Sequence, residues 1–482
     1  MGPIEIILIC IGASLALLVA VVALRTAAFK PKRTERREPE RIAVNIERAA
    51  SALSEMIKCK TVSHSDKTLD DSREFEGFVS LLSDLFPKVK ETCEFERVCD
   101  RALLFRWRGR GEGDPAVLMA HYDVVSAEES AWQKPPFSGE ISDGYIWGRG
   151  ALDTKGSLLG ILSAAEELIS EGVTPERDIY FAFGGNEEVN GDGASSIVDL
   201  LTSRGISPSL VLDEGGAVVS GAFPGVSAPA ALIGIAEKGM ANIEYSVSSA
   251  GGHSSSPKAH TPVGILSAAC CKVENKPFKF TLTEASRKML DTLGRHSTLL
   301  YRIIFANLRL FSPLLSFIGK RSGGELNALL RTTTAFTQMQ GSEGANVIPP
   351  VAKMVSNHRI ISGETVESTV KRIRKTVKDG SVEIKAIGGM DPSPTSRTDS
   401  EGYLKISEAI SEVWQDAIVS PYLMLACSDS RHWSRVSDKV YRFSPMALSG
   451  EERATIHGND ERIPISTLKT TVEFFKRLMM KL

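Results

Sequence analysis

Cysteine is scarce in this chain: seven residues in 482, with no CxxC pair. That excludes a thiolate metal site, and so thin and odd a set excludes a disulfide scaffold, although a hairpin can bring Cys93 and Cys99 together. Charge of one sign is also lacking. The 57 basic and 59 acidic residues leave a net charge of −2, so no global field draws nucleic acid or an acidic surface. Aromatic residues make up 7% and do not interleave with a basic patch, which removes nucleic acid as a partner. Internal repeats and low-complexity segments are absent. What is present is a globular composition, 42% hydrophobic and 24% charged, in a chain long enough for one to three domains.

One long hydrophobic run stands at the start. Residues 6–24, IILICIGASLALLVAVVAL, are 19 uncharged and mostly apolar residues. A helix needs about 20 such residues to cross a bilayer core. The only charge before the run is Glu5, which is not the basic n-region of a signal peptide. Residues 4–25 therefore read as a single-pass membrane anchor or an uncleaved signal. Thr26-Ala27-Ala28 offers a weak cleavage site for the alternative, a removed signal. Arg25, Lys30, Lys32, Arg33, Arg36 and Arg37 follow the run, and the positive-inside rule would keep that side cytoplasmic. Residues 26–41, ending in the charged KPKRTERREPER, read as a solvated linker.

From residue 42 short apolar runs alternate with helical stretches. PAVLMAHYD precedes a helix over 157–169; DIYFAFGGNEE precedes one over 194–201; PSLVLDEGG follows. The alternation predicts an α/β domain with a mixed, mostly parallel sheet between helices. Near residue 238 the texture changes to strands, helices and Gly/Ser turns, predicting a smaller inserted α+β domain over 238–388. The catalytic domain then comprises 42–237 and 389–482. Within the insertion, 299–318 looks membrane-like but carries Arg302, Arg309 and Pro313. It reads as an amphipathic helix packed on the domain or a dimer partner; a substrate lid or second membrane contact is the alternative.

Polar residues gather at the predicted strand ends, where open α/β sheets build their sites. AHYD places His121 after a strand with Asp123 two residues on, able to orient it. WGRGALDTKG sets Asp153 between glycine-rich turns at a helix start, where a carboxylate can cap the helix or bridge two metals. GGNEEVNGDG offers Glu187 and Glu188; one carboxylate can hold a metal while its neighbour takes a proton from water. VLDEGG adds Asp213, and ATIHGNDERI adds His457, with Asp460 and Glu461 reading as simple surface charge. Each motif alone is equally a capped turn or a solvated loop. Together they supply imidazole and carboxylate without thiolate, the donor set of zinc. Ser254 and Ser256 beside His253 lack a GxSxG elbow and read as turn formers.

AHYDVV, GRGALDTKG, NEE, LDEGG, GGHSSSP and IHGNDERI, in that order from about residue 45 onward, resemble the aminoacylase / carboxypeptidase S / succinyl-diaminopimelate desuccinylase family of co-catalytic zinc metallopeptidases. SDSRHW and GGNEEVNG resemble the branch of carboxypeptidase S and the N-fatty-acyl-amino-acid hydrolases. The resemblance implies two zinc ions per chain, with cobalt or manganese as substitutes. His121 and Asp213 would hold one, Glu188 and His457 the other, and Asp153 would bridge them. Glu187 would be the general base and Asp123 would tune the site. His253 of the insertion would stabilise the oxyanion, often across a homodimer. Asn346 and Arg359 would bind substrate, the guanidinium taking its carboxylate. The implied substrate is a small peptide or an N-acyl amino acid. A membrane-tethered binding protein that has lost the chemistry is the alternative. The same branch implies a lumenal or external enzyme, against the charge rule, so the side of the membrane stays open.

Overall fold

The computed structural model describes residues 2–31, 38–221 and 223–482. Met1, Ala222 and residues 32–37 of the expected linker lie outside the described residues. The N-terminal run forms one helix, α1 (Pro3–Ala28), long and apolar enough to cross a membrane and exposed along its apolar stretch.

The chain then enters a large sheet with β1 (Glu94–Cys99), β2 (Ala102–Trp107), β3 (Ala116–His121), β4 (Ile179–Gly184), β5 (Leu210–Val219) and β6 (Ala230–Glu237). It leaves for β7 (Gly239–Ser248), β8 (Thr333–Gln340), β9 (Val351–Ile360) and β10 (Glu383–Met390), and returns with β11 (Ile418–Met424) and β12 (Val440–Leu448). The large sheet runs β1-β2-β4-β3-β5-β12-β6-β11. It is mixed: β4, β3, β5 and β12 form a parallel centre, while β1 and β2 pair antiparallel on one flank and β12 meets β6 antiparallel on the other.

Strand alternation builds two cores. Leu103, Phe105 and Leu118 pack beneath α2 (Lys155–Ser170), whereas Leu104, Val117 and Met119 pack against α3 (Gly193–Ser203). Gly160 lets α2 approach its neighbour closely, because a Cβ there would lie 2.7 Å from Thr471 Cγ2. The smaller sheet runs β8-β9-β7-β10 and is antiparallel throughout. Ile243, Tyr245 and Met354 share its core with Leu266 of α4 (Pro262–Glu274) and Ile373 of the helix Val366–Val377.

Two expectations change. The insertion does not hold all of 238–388. Helices α5 (Glu284–Arg295), α6 (Leu299–Ala306) and α7 (Leu308–Ser322) separate β7 from β8 in sequence, yet Met289, Leu290, Leu293 and Phe305 pack with Ala230 and Ile418 of the large sheet. The apolar stripe of α5 matches that sheet edge, so burial draws the helices there. Nor are the described residues around 32–37 a free linker. Thr26 and Phe29 are buried, Arg477 Nη2 donates to Glu40 O at 2.7 Å, and Lys476 Nζ donates to Ala43 O at 3.0 Å. The cysteines are free thiols, so Cys93 and Cys99 form no bridge.

Candidate metal centre

The parallel strands end at a common rim. His121 is the last residue of β3, Glu187 and Glu188 follow β4, and β5 carries Asp213 and Glu214. Asp153 enters from the turn before α2, and His457 from a late loop.

Asp153 joins the two imidazoles. Its Oδ1 lies 3.0 Å from His121 Nε2 and its Oδ2 lies 3.0 Å from His457 Nε2. Burial opposes its ionisation, but hydrogen bonds from both rings and their charges prevail and hold the carboxyl well below the usual range. His457 Nε2 also lies 3.2 Å from Glu188 Oε2, and its pKa is raised to about 10 by hydrogen bonds to Asp153 and Glu188. Glu188 Oε1 is buried without a hydrogen-bond partner. The opposite nitrogen of His121 is fixed: Nδ1 lies 2.9 Å from the Asp123 carbonyl, which directs Nε2 at the carboxylates.

Asp123 is fully buried and acts on the glutamate turn. Its Oδ1 accepts the Glu187 N–H and its Oδ2 the Glu188 N–H, each at 3.1 Å, while Ser63 Oγ donates to Oδ2 at 2.6 Å. One carboxylate thus sets both the base candidate and the ligand candidate. Burial raises the Glu187 carboxyl well above its ordinary value; the His121 charge opposes this, and nearby Glu214, Asp429 and Asp123 add to it.

Of the LDEGG carboxylates, the structure brings Glu214 rather than the expected Asp213 nearest to His121. Adjacent strand residues face opposite sides, and Leu212 lies in the α2 core while Val211 lies with Trp433 in the α3 core. Glu214 therefore turns toward Asp153 and reaches within 3.6 Å of His121 Nε2. Asp213 instead accepts the Ser430 N–H at 2.9 Å and makes no ion pair with His121. Two ligand groupings form at the rim, His121 with Glu187 and Glu214, and His121 with Asp153 and Glu188, the donor atoms in each lying within 4.8 Å of one another. Hard carboxylates with borderline imidazoles, and the unpartnered Glu188 oxygen, fit a divalent ion of the zinc type.

Glu461 departs from the surface charge expected of it. It is wholly buried, not surface charge. Its Oε1 accepts the N–H groups of Leu152 and Asp153 at 2.8 and 3.2 Å, and its Oε2 pairs with Arg149 Nη1 at 2.7 Å. Arg149 Nη2 donates to Gly458 O at 2.8 Å, so the Asp153 turn and the His457 loop are one unit.

The insertion residues stay apart from this cluster. His253 is exposed, and its Nδ1 lies 2.8 Å from Ser255 Oγ. Its strand, Gly252–His253, pairs with Val347–Ile348 beside the exposed Asn346, whose carbonyl accepts the Ser254 N–H at 2.9 Å. Arg359, on β9, directs Nη1 at Cys427 Sγ, 3.7 Å away, next to the segment that reaches Asp213.

A parallel-centred α/β sheet with imidazoles and carboxylates converging at its strand ends defines a metal-dependent hydrolase. The chain belongs to Peptidase family M20/M25/M40, whose profile matches residues 117–481. It is similar to the probable carboxypeptidase S-like 2 of Dictyostelium discoideum, 37% identical, covering 89% of this chain and 84% of that one. It is similar also to the N-fatty-acyl-amino acid synthase/hydrolase PM20D1 of Homo sapiens, 34% identical over 98% of this chain and 96% of the relative. The fold matches the M20 family metallo-carboxypeptidase of Sulfolobus solfataricus with a TM-score of 0.66 at 16% identity, covering 90% of this chain and 98% of that one. The chain is thus a hydrolase of peptide or other amide C–N bonds in the carboxypeptidase S and N-fatty-acyl-amino-acid hydrolase branch.

Proposed function

We propose that this enzyme uses two zinc ions to hydrolyse the amide bond of N-acyl amino acids or the C-terminal bond of small peptides. The observation that carries the reading is Asp153, one oxygen on each of His121 and His457 at 3.0 Å. His121, Asp153 and Glu214 would hold one ion; His457, Asp153 and Glu188 the other. Bound zinc supplies a Lewis acid for the scissile carbonyl and lowers the pKa of bound water to about 7.

The chain's own groups do the rest. Glu187, strapped by Asp123, takes the proton of the attacking water and returns it to the leaving nitrogen. Its raised pKa suits a group that must both accept and donate. Arg359 receives the substrate carboxylate as a bidentate fork. His253 and Asn346, held together by one short ribbon, serve the oxyanion and the acyl amide of a second copy in a homodimer. The names of the Dictyostelium and human relatives support both substrate classes. The exposed, apolar α1 supports anchorage in a membrane.

The test is product analysis. Purified zinc-loaded protein, incubated with mixed dipeptides and N-acyl amino acids, should release free amino acids seen by mass spectrometry, and Glu187→Gln should release none above background. An unaltered rate in Glu187→Gln would sink the assignment of the base, and inertness of the zinc-loaded enzyme on the whole panel would sink the activity.

A further inference from the structure

Large apolar side chains are exposed singly over most of the folded domain, as at Leu69, Phe95 and Leu404. On α6 and α7 they gather. Leu299 and Leu300 are 64% and 68% exposed, and Leu310, Leu314, Phe317 and Ile318 lie between 42% and 61%. The four on α7 recur at i, i+4, i+7 and i+8, one continuous helical stripe, while Leu315 and Gly319 on the inner side are buried. The two helices are bent by 109° at the break between them, so α7 does not continue α6 as a straight span.

The charges around the stripe are mostly basic. Residues 297–330 carry Arg302, Arg309, Lys320 and Arg321 against a single acidic residue, Glu325. None of the four makes an ion pair among the described residues. An apolar stripe with a basic flank is the composition of a helix that lies in a bilayer interface.

The same corner of the domain grips the end of α1. Asn307, between α6 and α7, directs Nδ2 at Thr26 Oγ1, 3.4 Å away. Phe29 is buried with Phe305 and Leu293, the Arg295 guanidinium stacks 4.5 Å from its ring centroid, and Arg295 Nη1 donates to Lys30 O at 3.2 Å. The apolar helix is therefore docked where the exposed stripe begins, not tethered at a distance.

We infer that α6 and α7 form a second membrane contact beside α1, seating the catalytic domain on an anionic bilayer with Leu310, Leu314, Phe317 and Ile318 among the acyl chains. Arg309, Lys320 and Arg321 meet the headgroups. The inference rests on the reading that α1 lies in the membrane.

Site-specific photocrosslinking tests both separately. Benzoylphenylalanine replaces Leu17 in α1, Phe317 in α7 or Leu404 on the domain surface, in the full chain reconstituted in phosphatidylcholine/phosphatidylserine vesicles. Lipid adducts at positions 17 and 317, severalfold above position 404, are expected, and Lys320→Glu with Arg321→Glu should lower the yield at 317 severalfold without changing it at 17. Lipid adducts at 17 with background yield at 317 overturn the inference and leave the anchor standing. A crosslink from 317 to a second copy of the chain also overturns it, in favour of a dimer face. Background yield at 17 overturns the anchor reading and, with it, the inference of a second contact beside α1.

Discussion

Arg149 and Glu461 form a buried ion pair, Nη1 to Oε2 at 2.7 Å, with side chains 3% and 0% exposed. The pair closes the turn that presents Asp153 onto the loop that presents His457. Removing one partner of such a pair leaves the other charge buried, a cost of about 3–5 kcal/mol. Glu461→Ala should lower the midpoint of thermal unfolding by several degrees and weaken zinc binding, read by calorimetry and by competition with a chelating dye. Unchanged zinc affinity would show that the two loops hold their places independently.

Glu187→Gln keeps the shape of the side chain and the backbone N–H that Asp123 receives. The variant should lose about 10²–10⁴ in kcat while binding the same amount of zinc by elemental analysis. Loss of metal together with activity would make Glu187 a ligand instead.

Glu214 and Asp213 are neighbours on opposite faces of β5. Glu214→Ala removes a carboxylate 3.6 Å from His121 and should lower the zinc content by about one ion per chain. Asp213→Asn should retain both ions, because Asp213 Oδ2 already accepts the Ser430 N–H on the other face of the strand. The reverse pattern would restore Asp213 as the ligand.

The insertion carries a pH-sensitive histidine. His358 is fully buried between Thr334 and Ser356, and burial lowers its pKa from 6.5 to about 4. In the folded chain it stays neutral while the unfolded chain takes up a proton below about 6.5. Stability therefore falls as pH drops from about 6.5 to about 4, by at most about 3 kcal/mol from this group. Thermal unfolding across that window should show a shallower pH slope in His358→Gln than in the parent, and an identical slope would mean the imidazole is protonated in the fold.

Chelation should abolish hydrolysis, and zinc should restore it. Because His457 and Asp153 gain their ordering from one shared site, chelation should also lower the unfolding midpoint, checked by calorimetry with and without added zinc.

Much of this was legible in one dimension. Apolar runs such as Ala116–His121 and Ile179–Gly184 announce buried strands, and their spacing from helical stretches announces a parallel centre. His121, Asp153, Glu187, Glu188 and His457 stand out because each follows an apolar run or sits among glycines. Glu214 was legible in principle: Leu210, Leu212 and Glu214 share a face by alternation, the face on which α2 and Asp153 lie. Glu461 was not, since nothing in IHGNDERI separates a solvated carboxylate from one that meets Arg149 from a turn some three hundred residues earlier.

The sequence by itself therefore determined the elements, the chemistry of the ligand types and the apolar N-terminal helix, because those follow from local periodicity and side-chain identity. Only the tertiary structure decided which carboxylate of a neighbouring pair lies nearest His121, that helices α5 and α6 leave the insertion for the large sheet, and that Thr26 and Phe29 fasten α1 to the domain. Those outcomes depend on burial and hydrogen-bond partners distant in the chain, and no local pattern encodes a partner that folding alone brings near.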